Sequence, residues 1–408
     1  MRNGTLRKPV HRAVAAALYP DSSNTHSGLD RVVREDFDLL RNKRYALLTN
    51  HAAVDFLGRH ILDVLALAPE DCRLVRIFSP EHGIAGTAEA GQHVDSGRWK
   101  GIPVVSLYGG QQAPDPAQLN DIDVLIVDLQ DVGARYYTYH ATMKRCLAVC
   151  EAHRVPVVVL DRPNPLGGLV LEGPLAVDTT SIVSAAAVPI RHGMTLGEFA
   201  LWYRQSEFRR LSLEIMRLDG WRYDLYFDQT SLPWIPPSPN IATPTTALWY
   251  VGNCLFEGVN LNEGRGTETP FEVIGAPWLD AARVIDRIPN VLRSGAQLEP
   301  TLYTPTGIPG KAANPLYKDT ECGGIRFRLA DRALVRPFSL ALGLIAAIRA
   351  LHPDQFAWSG QPAFDTLIGS SQIRTALESG TSAEDLLRRS EPELRQFYHL
   401  RPKLYHET

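Results

Sequence analysis

Glu81, followed by His82, is the pair of residues in this 408-residue chain whose types and position best suit acid–base chemistry. The pair follows the apolar run at residues 74–78 and precedes the apolar Ile84. Loss of contact with water at such a position favours the protonated form of a carboxylic acid, which can then donate a proton near neutral pH. A glutamate at this position could instead cap a helix or pair with an arginine.

Other apolar runs of the first half of the chain also end in polar or aromatic residues. These residues are Asn50, Tyr108, Asp128, Asp131, Arg162 and Asn164. One polar residue after a strand indicates little, but five runs that all end this way indicate that their ends meet in one cleft. The cleft is therefore expected to combine carboxyl, amide, phenol and guanidinium groups.

The segment that begins at Arg135 adds a cation and two aromatic hydroxyls, Tyr136 and Tyr137. Tyrosine rings pack on the apolar face of a sugar ring while their hydroxyls form hydrogen bonds, although core packing explains at least one of them. Arg162 and Arg265 lie in loops rich in Pro or Gly, and a planar guanidinium holds a carboxylate through two parallel hydrogen bonds. The pattern favours recognition of an acidic sugar.

A metal site is the alternative use of the acidic residues. Glu81, His82, His93 and Asp128 are possible ligands, but their spacing matches no specific metal-binding pattern. No glycine-rich dinucleotide or nucleotide motif is present either, and the glycines at 83 and 86 are typical of a tight turn rather than a phosphate site. We therefore predict neither a metal nor a cofactor.

Short apolar runs alternate with helical patterns through the first half of the chain. The predicted strands are residues 45–49, 74–78, 104–107, 124–129 and 157–160, and the predicted helices are residues 60–68, 142–153 and 196–207. Strands without polar alternation are buried on both faces, which predicts an α/β fold with a mostly parallel sheet between two layers of helices. Ligands of such sheets bind beyond the carboxyl ends of the strands, where the polar residues lie.

The sequence changes character near Arg210. We predict an N-terminal extension at residues 1–29, an α/β domain at 30–210 and a smaller α+β domain at 211–408. Within the last part we predict a strand at residues 323–329 and helices at 339–351 and 373–389.

Charge and cysteine content limit the partners and the cellular compartment that we expect for the protein. A net charge of −3 gives no basic face for nucleic acid, and no apolar run approaches the roughly 20 residues needed to cross a bilayer. Five cysteines are an odd number, and a bridge between Cys146 and Cys150 along one helix would be geometrically poor. With no signal peptide evident, we expect a cytoplasmic rather than a periplasmic or secreted protein. No feature of the sequence indicates the oligomeric state.

Six segments together resemble the NamZ-type exo-β-N-acetylmuramidases. The resemblance covers nearly the whole chain, from about residue 30 to residue 406. The segments are residues 78–83 (FSPEHG), 128–137 (DLQDVGARYY), 161–168 (DRPNPLGG), 237–240 (PSPN), 256–267 (FEGVNLNEGRGT) and 275–278 (GAPW).

The resemblance implies a Rossmann-like catalytic domain, a smaller auxiliary domain and a cleft between them. It implies release of N-acetylmuramic acid from the non-reducing end of peptidoglycan fragments, with Glu81 as general acid and Tyr108 or Tyr136 assisting. Asp128 or Glu263 would orient the 2-acetamido group or a water molecule. The substrate-binding candidates are Asn50, His82, Asp131, Arg135, Tyr137, Arg162, Asn164, Glu263 and Arg265.

Two other functions fit the same residues. A metal-dependent hydrolase or phosphotransferase would use Asp128 and Asp131 with a divalent cation. A non-catalytic protein that binds cell-wall sugars would use Glu81 only as a hydrogen-bonding group.

Overall fold

The computed structural model describes residues 24–86, 96–360 and 362–407 of the chain. The strands in these ranges are β1 Arg44–Thr49, β2 Arg73–Ser79, β3 Gly97–Trp99, β4 Ile102–Ser106, β5 Val124–Asp128, β6 Val157–Leu160, β7 Leu213–Met216, β8 Val273–Ala276, β9 Ala296–Tyr303 and β10 Cys322–Leu329. The helices are α1 Gly28–Arg34, α2 Ile61–Leu65, α3 Tyr139–His153, α4 Leu196–Ser206, α5 Pro244–Asn253, α6 Ala281–Arg287, α7 Pro337–Leu351, α8 Phe364–Ile368, α9 Gln372–Glu378 and α10 Ala383–Leu400.

The larger sheet has the strand order β3-β4-β2-β1-β5-β6-β7. Every neighbouring pair in it is parallel except β3 and β4 at one edge. The predicted α/β fold with a mostly parallel sheet is confirmed, and the five predicted strands all lie in it. Because the strands run the same way, the carboxyl ends of β1, β2, β4, β5 and β6 lie along one edge.

Successive residues of the central strands pack into different cores on the two faces of this sheet. Leu47 and Ile126 belong to a core shared with α1 and α2, whereas Leu48 and Val127 belong to the core on the opposite face. A strand buried on both faces needs apolar side chains at successive positions, which explains the absence of polar alternation in the sequence.

The smaller sheet is antiparallel, with the order β8-β10-β9. Its buried residues, such as Ile274 and Phe327, and those of α5 and α7 join the core on one face of the larger sheet, so the two halves share one continuous core. The predicted strand at 323–329 and the predicted helix at 339–351 are confirmed as β10 and α7.

The single helix predicted at residues 373–389 is wrong, because α9 and α10 replace it. Gly380 lies between them with a φ of +87°, a conformation that side chains with a Cβ rarely adopt. Ser382 then begins α10 by accepting the backbone N–H of Asp385 through its hydroxyl. A glycine and a capping serine only two residues apart end one helix and begin the next.

The end of the chain returns to the larger sheet. The backbone N–H of Leu404 donates to Glu198 Oε1 at 2.9 Å, and the hydroxyl of Tyr405 donates to Asp161. β7 also lies beyond residue 210 but belongs to the larger sheet. The division into an extension and two domains at 29/30 and 210/211 stays a prediction.

Two predictions from the sequence concern membrane-spanning helices and cysteine thiols. Among the described residues, no helix is both long and apolar enough to span a bilayer. All five cysteines carry free thiols, as predicted, including Cys146 and Cys150 on α3. The compartment in which the protein works stays a prediction.

Candidate active site

A cavity of about 700 Å³ opens beyond the carboxyl ends of β2 and β4. Its wall combines residues that follow these strands with residues from the second half of the chain, within 238–271 and 311–316 and at 359, 360, 362 and 367. The predicted site residues that line it are Glu81, His82, Tyr108, Tyr136, Tyr137, Glu263 and Arg265.

Glu81 lies in a turn that starts two residues after the end of β2, and 8% of its surface is exposed. The hydroxyl of Thr138 lies 2.8 Å from its Oε2. Thr138 precedes the first residue of α3 but makes no side-chain capping bond, so its hydroxyl is available to Glu81. Because a hydroxyl can donate to a carboxylate or accept from a carboxylic acid, this contact holds Glu81 in both protonation states.

The turn after Glu81 is shaped by close packing against β1 and its loop. A Cβ on Gly86 would lie 2.1 Å from ring atoms of His51, so no larger residue fits at this position. The His51 ring in turn forms a 2.7 Å hydrogen bond with the carbonyl of Pro236. This arrangement agrees with glycines that permit a tight turn, and it gives no support to a phosphate site.

Three tyrosine hydroxyls bind backbone carbonyls in the second half of the chain. Tyr136 donates to the carbonyl of Val251 at 2.9 Å, and Tyr137 and Tyr139 both donate to the carbonyl of Pro237 at 2.9 Å. Burial raises the pKa of Tyr136 and of Tyr137 well above the ordinary value for tyrosine. These phenols therefore fix the wall, while the rings of Tyr136 and Tyr137 line the cavity.

Tyr108 differs from these three tyrosines because it is half-buried. It follows β4 by two residues, and its backbone N–H donates to the hydroxyl of Ser106 at 3.3 Å. Tyr108 lines the cavity together with Glu81. Of the two tyrosines predicted to assist catalysis, Tyr108 is the more accessible to a ligand.

Glu263 and Glu257 share one arginine in the cavity wall. Arg265 Nε lies 2.8 Å from Glu263 Oε1, and Arg265 Nη2 lies 2.8 Å from Glu257 Oε1. Burial raises the pKa of Glu263 to about 7, against the attraction of Arg265. Burial would lower the pKa of Arg265, but the two carboxylates raise it. Glu263 can therefore change its charge near neutral pH, whereas Arg265 keeps its own.

Arg162 and Asp128 form a pair inside the protein rather than in the cavity. Arg162 donates to both carboxylate oxygens of Asp128, with a distance of 2.9 Å from Nη2 to Oδ2, and Nη1 donates to the carbonyl of Val54 at 2.8 Å. Asp128 is fully buried and 5% of Arg162 is exposed. This pairing argues against both predicted roles, namely Arg162 as a clamp for a substrate carboxylate and Asp128 as the group that orients the substrate.

Asp131 and Asn164 also lie behind the cavity wall. Asp131 Oδ2 accepts the backbone N–H of Gly133 at 2.8 Å and lies 3.2 Å from His192 Nε2. The side chain of Asn164 donates to the carbonyl of Met194 at 3.0 Å. Such contacts are typical of residues that fix loops after strands.

Arg135 is fully buried and binds four backbone carbonyls. Its Nη1 donates to Pro174 and Val188, and its Nη2 donates to Leu367 and Ile368 at the end of α8. Burial lowers the pKa of this guanidinium to about 10, so it stays charged at neutral pH. Arg135 therefore joins the loop after β5 to the second half of the chain instead of facing a ligand.

Asn50 supports the Glu81 segment from behind. Its side-chain amide donates to the hydroxyl of Tyr139 at 2.7 Å, and that hydroxyl lies 3.4 Å from the carbonyl of Glu81. Asn50 is fully buried and is not among the residues that line the cavity. Its contribution is to the position of the glutamate.

The metal alternative depends on Asp128, whose two oxygens already accept from Arg162. In the part of the chain that the structure describes, no three His, Cys, Asp or Glu residues are grouped to hold an ion. His93, one of the possible ligands, lies outside the described residues. The geometry of Asp128 therefore gives this alternative no support.

Sequence reasoning missed several residues of the cavity wall. Thr138 directly follows the predicted site residues Tyr136 and Tyr137, but nothing in the sequence shows that its hydroxyl contacts Glu81. Lys311 lies in a loop that carries no recognisable motif. Tyr250 and Phe271 pack edge to face with 4.8 Å between their ring centroids. Their sequence context does not distinguish them from aromatic residues of the core.

This chain is similar to known proteins over nearly its whole length. Residues 45–245 match the family model described as exo-β-N-acetylmuramidase NamZ, N-terminal, and residues 248–406 match its C-terminal counterpart. A protein of Bacillus subtilis strain 168, named peptidoglycan β-N-acetylmuramidase NamZ, is 35% identical over 399 residues, which cover 95% of this chain and 94% of that relative.

Two solved structures of DUF1343 family proteins from Bacteroides fragilis NCTC 9343 are also similar. One has a TM-score of 0.83 and 28% identity, and covers 94% of this chain and 100% of its own. The other has a TM-score of 0.74 and 30% identity, and covers 95% of this chain and 100% of its own. With both family models matched and the fold shared over nearly the whole length, the chain belongs to the NamZ exo-β-N-acetylmuramidase family.

Proposed function

We propose that this protein hydrolyses the β-glycosidic bond of N-acetylmuramic acid at the non-reducing end of peptidoglycan fragments, with Glu81 as the proton donor. The observation that carries the proposal is the position of Glu81. It lies in the wall of the 700 Å³ cavity beyond β2, and Thr138 holds its carboxyl group at 2.8 Å. Membership of a glycosidase family supports this reading of the site.

In the first step, Glu81 donates its proton to the glycosidic oxygen while the bond from that oxygen to the anomeric carbon breaks. The carbonyl oxygen of the 2-acetamido group forms the new bond to the anomeric carbon, so no protein nucleophile is required. In the second step, a water molecule gives a proton to Glu81 and its oxygen bonds to the anomeric carbon, while the bond from that carbon to the acetamido oxygen breaks and restores the acetamido group. The same residue thus serves first as acid and then as base.

Glu263 is the remaining candidate for the group that orients the acetamido N–H, because Asp128 is engaged by Arg162. Glu263 lines the cavity, and 6% of its surface is exposed. Its ionised form can accept the N–H, which increases the electron density on the attacking carbonyl oxygen. With a pKa raised to about 7, Glu263 would perform this function mainly above neutral pH.

Aromatic rings provide the apolar part of the site. Tyr137 and Tyr250 meet edge to face with 6.5 Å between ring centroids, and Phe271 extends the same wall. Such rings pack against the C–H face of a pyranose, whereas the carboxyl groups of Glu81 and Glu263 meet its polar substituents. The cavity therefore suits a sugar with an acetamido group.

The test compares wild type with Glu81→Gln on two substrates that differ in the leaving group. Loss of a general acid lowers the rate about 10²- to 10⁴-fold. We expect a large loss of kcat/KM on a muramyl disaccharide, whose leaving sugar needs a proton. The loss on 4-nitrophenyl β-N-acetylmuraminide should be smaller, since nitrophenolate leaves without one.

The matched control is Glu70→Gln, an exposed glutamate that does not line the cavity. Its kcat on both substrates should equal that of wild type. Calorimetry should show that Glu81→Gln still binds N-acetylmuramic acid. An unchanged kcat/KM of Glu81→Gln for the disaccharide, or the same loss of kcat/KM on both substrates, would refute Glu81 as the proton donor, because kcat/KM reports the step in which the leaving group departs.

A further inference from the structure

The carboxylates and the arginine of the cavity wall are not paired one to one. Glu257 and Glu263 both contact Arg265, each at 2.8 Å, so this arginine faces two carboxylates. When Glu263 is ionised, a third carboxylate, brought by a substrate, would meet two negative charges as well as the one positive charge. Like charges at such distances repel, which makes Arg265 a poor receptor for an acidic ligand.

Lys311 is a second cation in the same wall. It is half-buried, and its ammonium group has no ion pair or hydrogen bond with any of residues 24–86, 96–360 and 362–407. An unpaired ammonium in a partly enclosed cavity attracts an anion more strongly than one in open solvent, because fewer water molecules screen it. The wall therefore offers a positive charge that no carboxylate of the described residues neutralises.

The backbone around Lys311 is fixed even though its side chain is unpaired. Its N–H donates to the carbonyl of Ile308 at 3.1 Å, and its own carbonyl accepts the side-chain amide of Asn240 at 2.9 Å. Gly310 precedes it with a φ of +75°, which permits the sharp turn. The backbone from which the Lys311 side chain extends is therefore held in place.

Asn240 connects this loop to the segment that carries Glu81. Three residues before it, the carbonyl of Pro237 accepts the hydroxyls of Tyr137 and Tyr139. The hydroxyl of Tyr139 also lies 3.4 Å from the carbonyl of Glu81. A chain of hydrogen bonds therefore links the backbone of Lys311 to the segment of the proposed proton donor. A residue that binds a substituent of the same sugar must be held in a fixed position relative to that donor.

We propose that Lys311 binds the lactyl carboxylate of the muramyl sugar and so determines the preference for muramyl over glucosaminyl substrates. This inference rests on the proposed function and assigns a role within it. A muramyl sugar differs from a glucosaminyl sugar by this acidic ether substituent, so a cation that binds the substituent distinguishes the two. The predicted clamps Arg162 and Arg265 do not take this role, because internal carboxylates already engage both.

The experiment removes the charge from the protein and from the substrate in turn. Wild type and Lys311→Met are assayed on 4-nitrophenyl β-N-acetylmuraminide and on its analogue with the lactyl carboxylate converted to a primary amide. We expect Lys311→Met to raise KM for the acid about 10- to 100-fold with little change in kcat, the range for loss of a charge-assisted hydrogen bond. On the amide the two proteins should have the same KM.

Two further variants separate charge from packing. Lys311→Arg keeps the charge and should recover part of the lost affinity for the acid. Lys318→Met removes an exposed lysine of the same loop whose ammonium donates to the carbonyl of Ala313, and its KM for the acid should match that of wild type. An equal loss on acid and amide, or an unchanged KM for the acid, would overturn the assignment.

Calorimetric binding distinguishes failure of this inference from failure of the proposed function. N-acetylmuramic acid and N-acetylglucosamine are titrated into wild type and Lys311→Met. We expect wild type to prefer the acid and the variant to lose most of that preference. Absence of turnover by wild type would refute the proposed function, whereas an unchanged binding preference in the variant would refute the role of Lys311.

Discussion

Polar residues at the carboxyl edge of the larger sheet lie in two regions with different surroundings. The cavity wall contains Glu81 and Glu263, which border a space that a ligand can enter. The strand-end cluster, defined as Asp128, Asp131, Arg162 and Asn164, lies behind that wall and meets only other parts of the protein. Glu81 and the members of the strand-end cluster all lie at or after the ends of strands of the larger sheet, so a position at a strand end identifies the neighbourhood but not the function.

The two arginines predicted as clamps show the difference most directly. Arg162 faces a fully buried aspartate and a backbone carbonyl, whereas Arg265 faces two carboxylates that themselves line the cavity. Both guanidiniums are engaged, but only Arg265 can influence the charge that a ligand meets. Variants in the strand-end cluster should therefore change stability, and variants in the cavity wall should change kinetics.

The largest expected effect is the loss of stability in Arg162→Met. Removing one partner of a buried ion pair costs about 3–5 kcal/mol, because Asp128 would remain buried without a compensating charge. Urea unfolding at neutral pH measures this loss. The double variant Arg162→Met with Asp128→Asn should recover part of it, since the unpaired charge is then removed.

The Arg162→Met variant also tests whether Arg162 is separate from the cavity wall. Folded Arg162→Met should keep the ratio of kcat/KM values for the acid and amide forms of the muraminide. A changed ratio without a loss of stability would place Arg162 in the cavity wall instead.

A smaller effect is expected for Glu263→Gln in the cavity wall. Because burial raises the pKa of Glu263 to about 7, this residue loses its charge as the pH falls through 7, and kcat/KM of wild type should fall with it. Glu263→Gln should lower kcat/KM at pH 8 about 10- to 100-fold, as for a lost hydrogen bond to a charged group. The acid limb near pH 7 should disappear from its profile.

The control for Glu263 is Glu272→Gln, a neighbouring glutamate that does not line the cavity and accepts the hydroxyl of Thr246 at 2.8 Å. Its pH profile should keep the acid limb of wild type. Persistence of that limb in Glu263→Gln would assign the titration to another group.

The smallest effect is expected for Tyr136→Phe, which borders both regions. Its ring lines the cavity, but its hydroxyl donates to the carbonyl of Val251. Loss of this hydrogen bond should lower the free energy of unfolding by about 1 kcal/mol and change kcat less than threefold. Thermal unfolding and muraminide hydrolysis measure the two quantities.

Tyr108→Phe is the matched variant, because its half-buried ring lines the same cavity. We expect the larger loss of kcat in Tyr108→Phe. The reverse order would make Tyr136 the assisting tyrosine and would show that its hydroxyl leaves Val251 during the reaction.

Local sequence was sufficient to predict five strands of the larger sheet. Strands such as β5 and β6 carry successive apolar residues because both of their faces are buried, so their runs are visible without coordinates. The helix predicted at 373–389 failed because Gly380 interrupts a continuous helical pattern, and glycine alone costs only about 1 kcal/mol there. Packing decided that the chain turns at this point.

The position of Glu81 at a strand end followed from the sequence, because parallel strands place their carboxyl ends at one edge. Its contact with Thr138 and the pairing of Arg162 with Asp128 did not follow, since they join residues 57 and 34 positions apart in the chain. The role that we infer for Lys311 likewise depends on Arg265 being paired already. By itself the sequence determined which groups are present and which edge of the sheet they reach. The tertiary structure alone decided which of them are neutralised by one another, because that depends on partners brought together by folding.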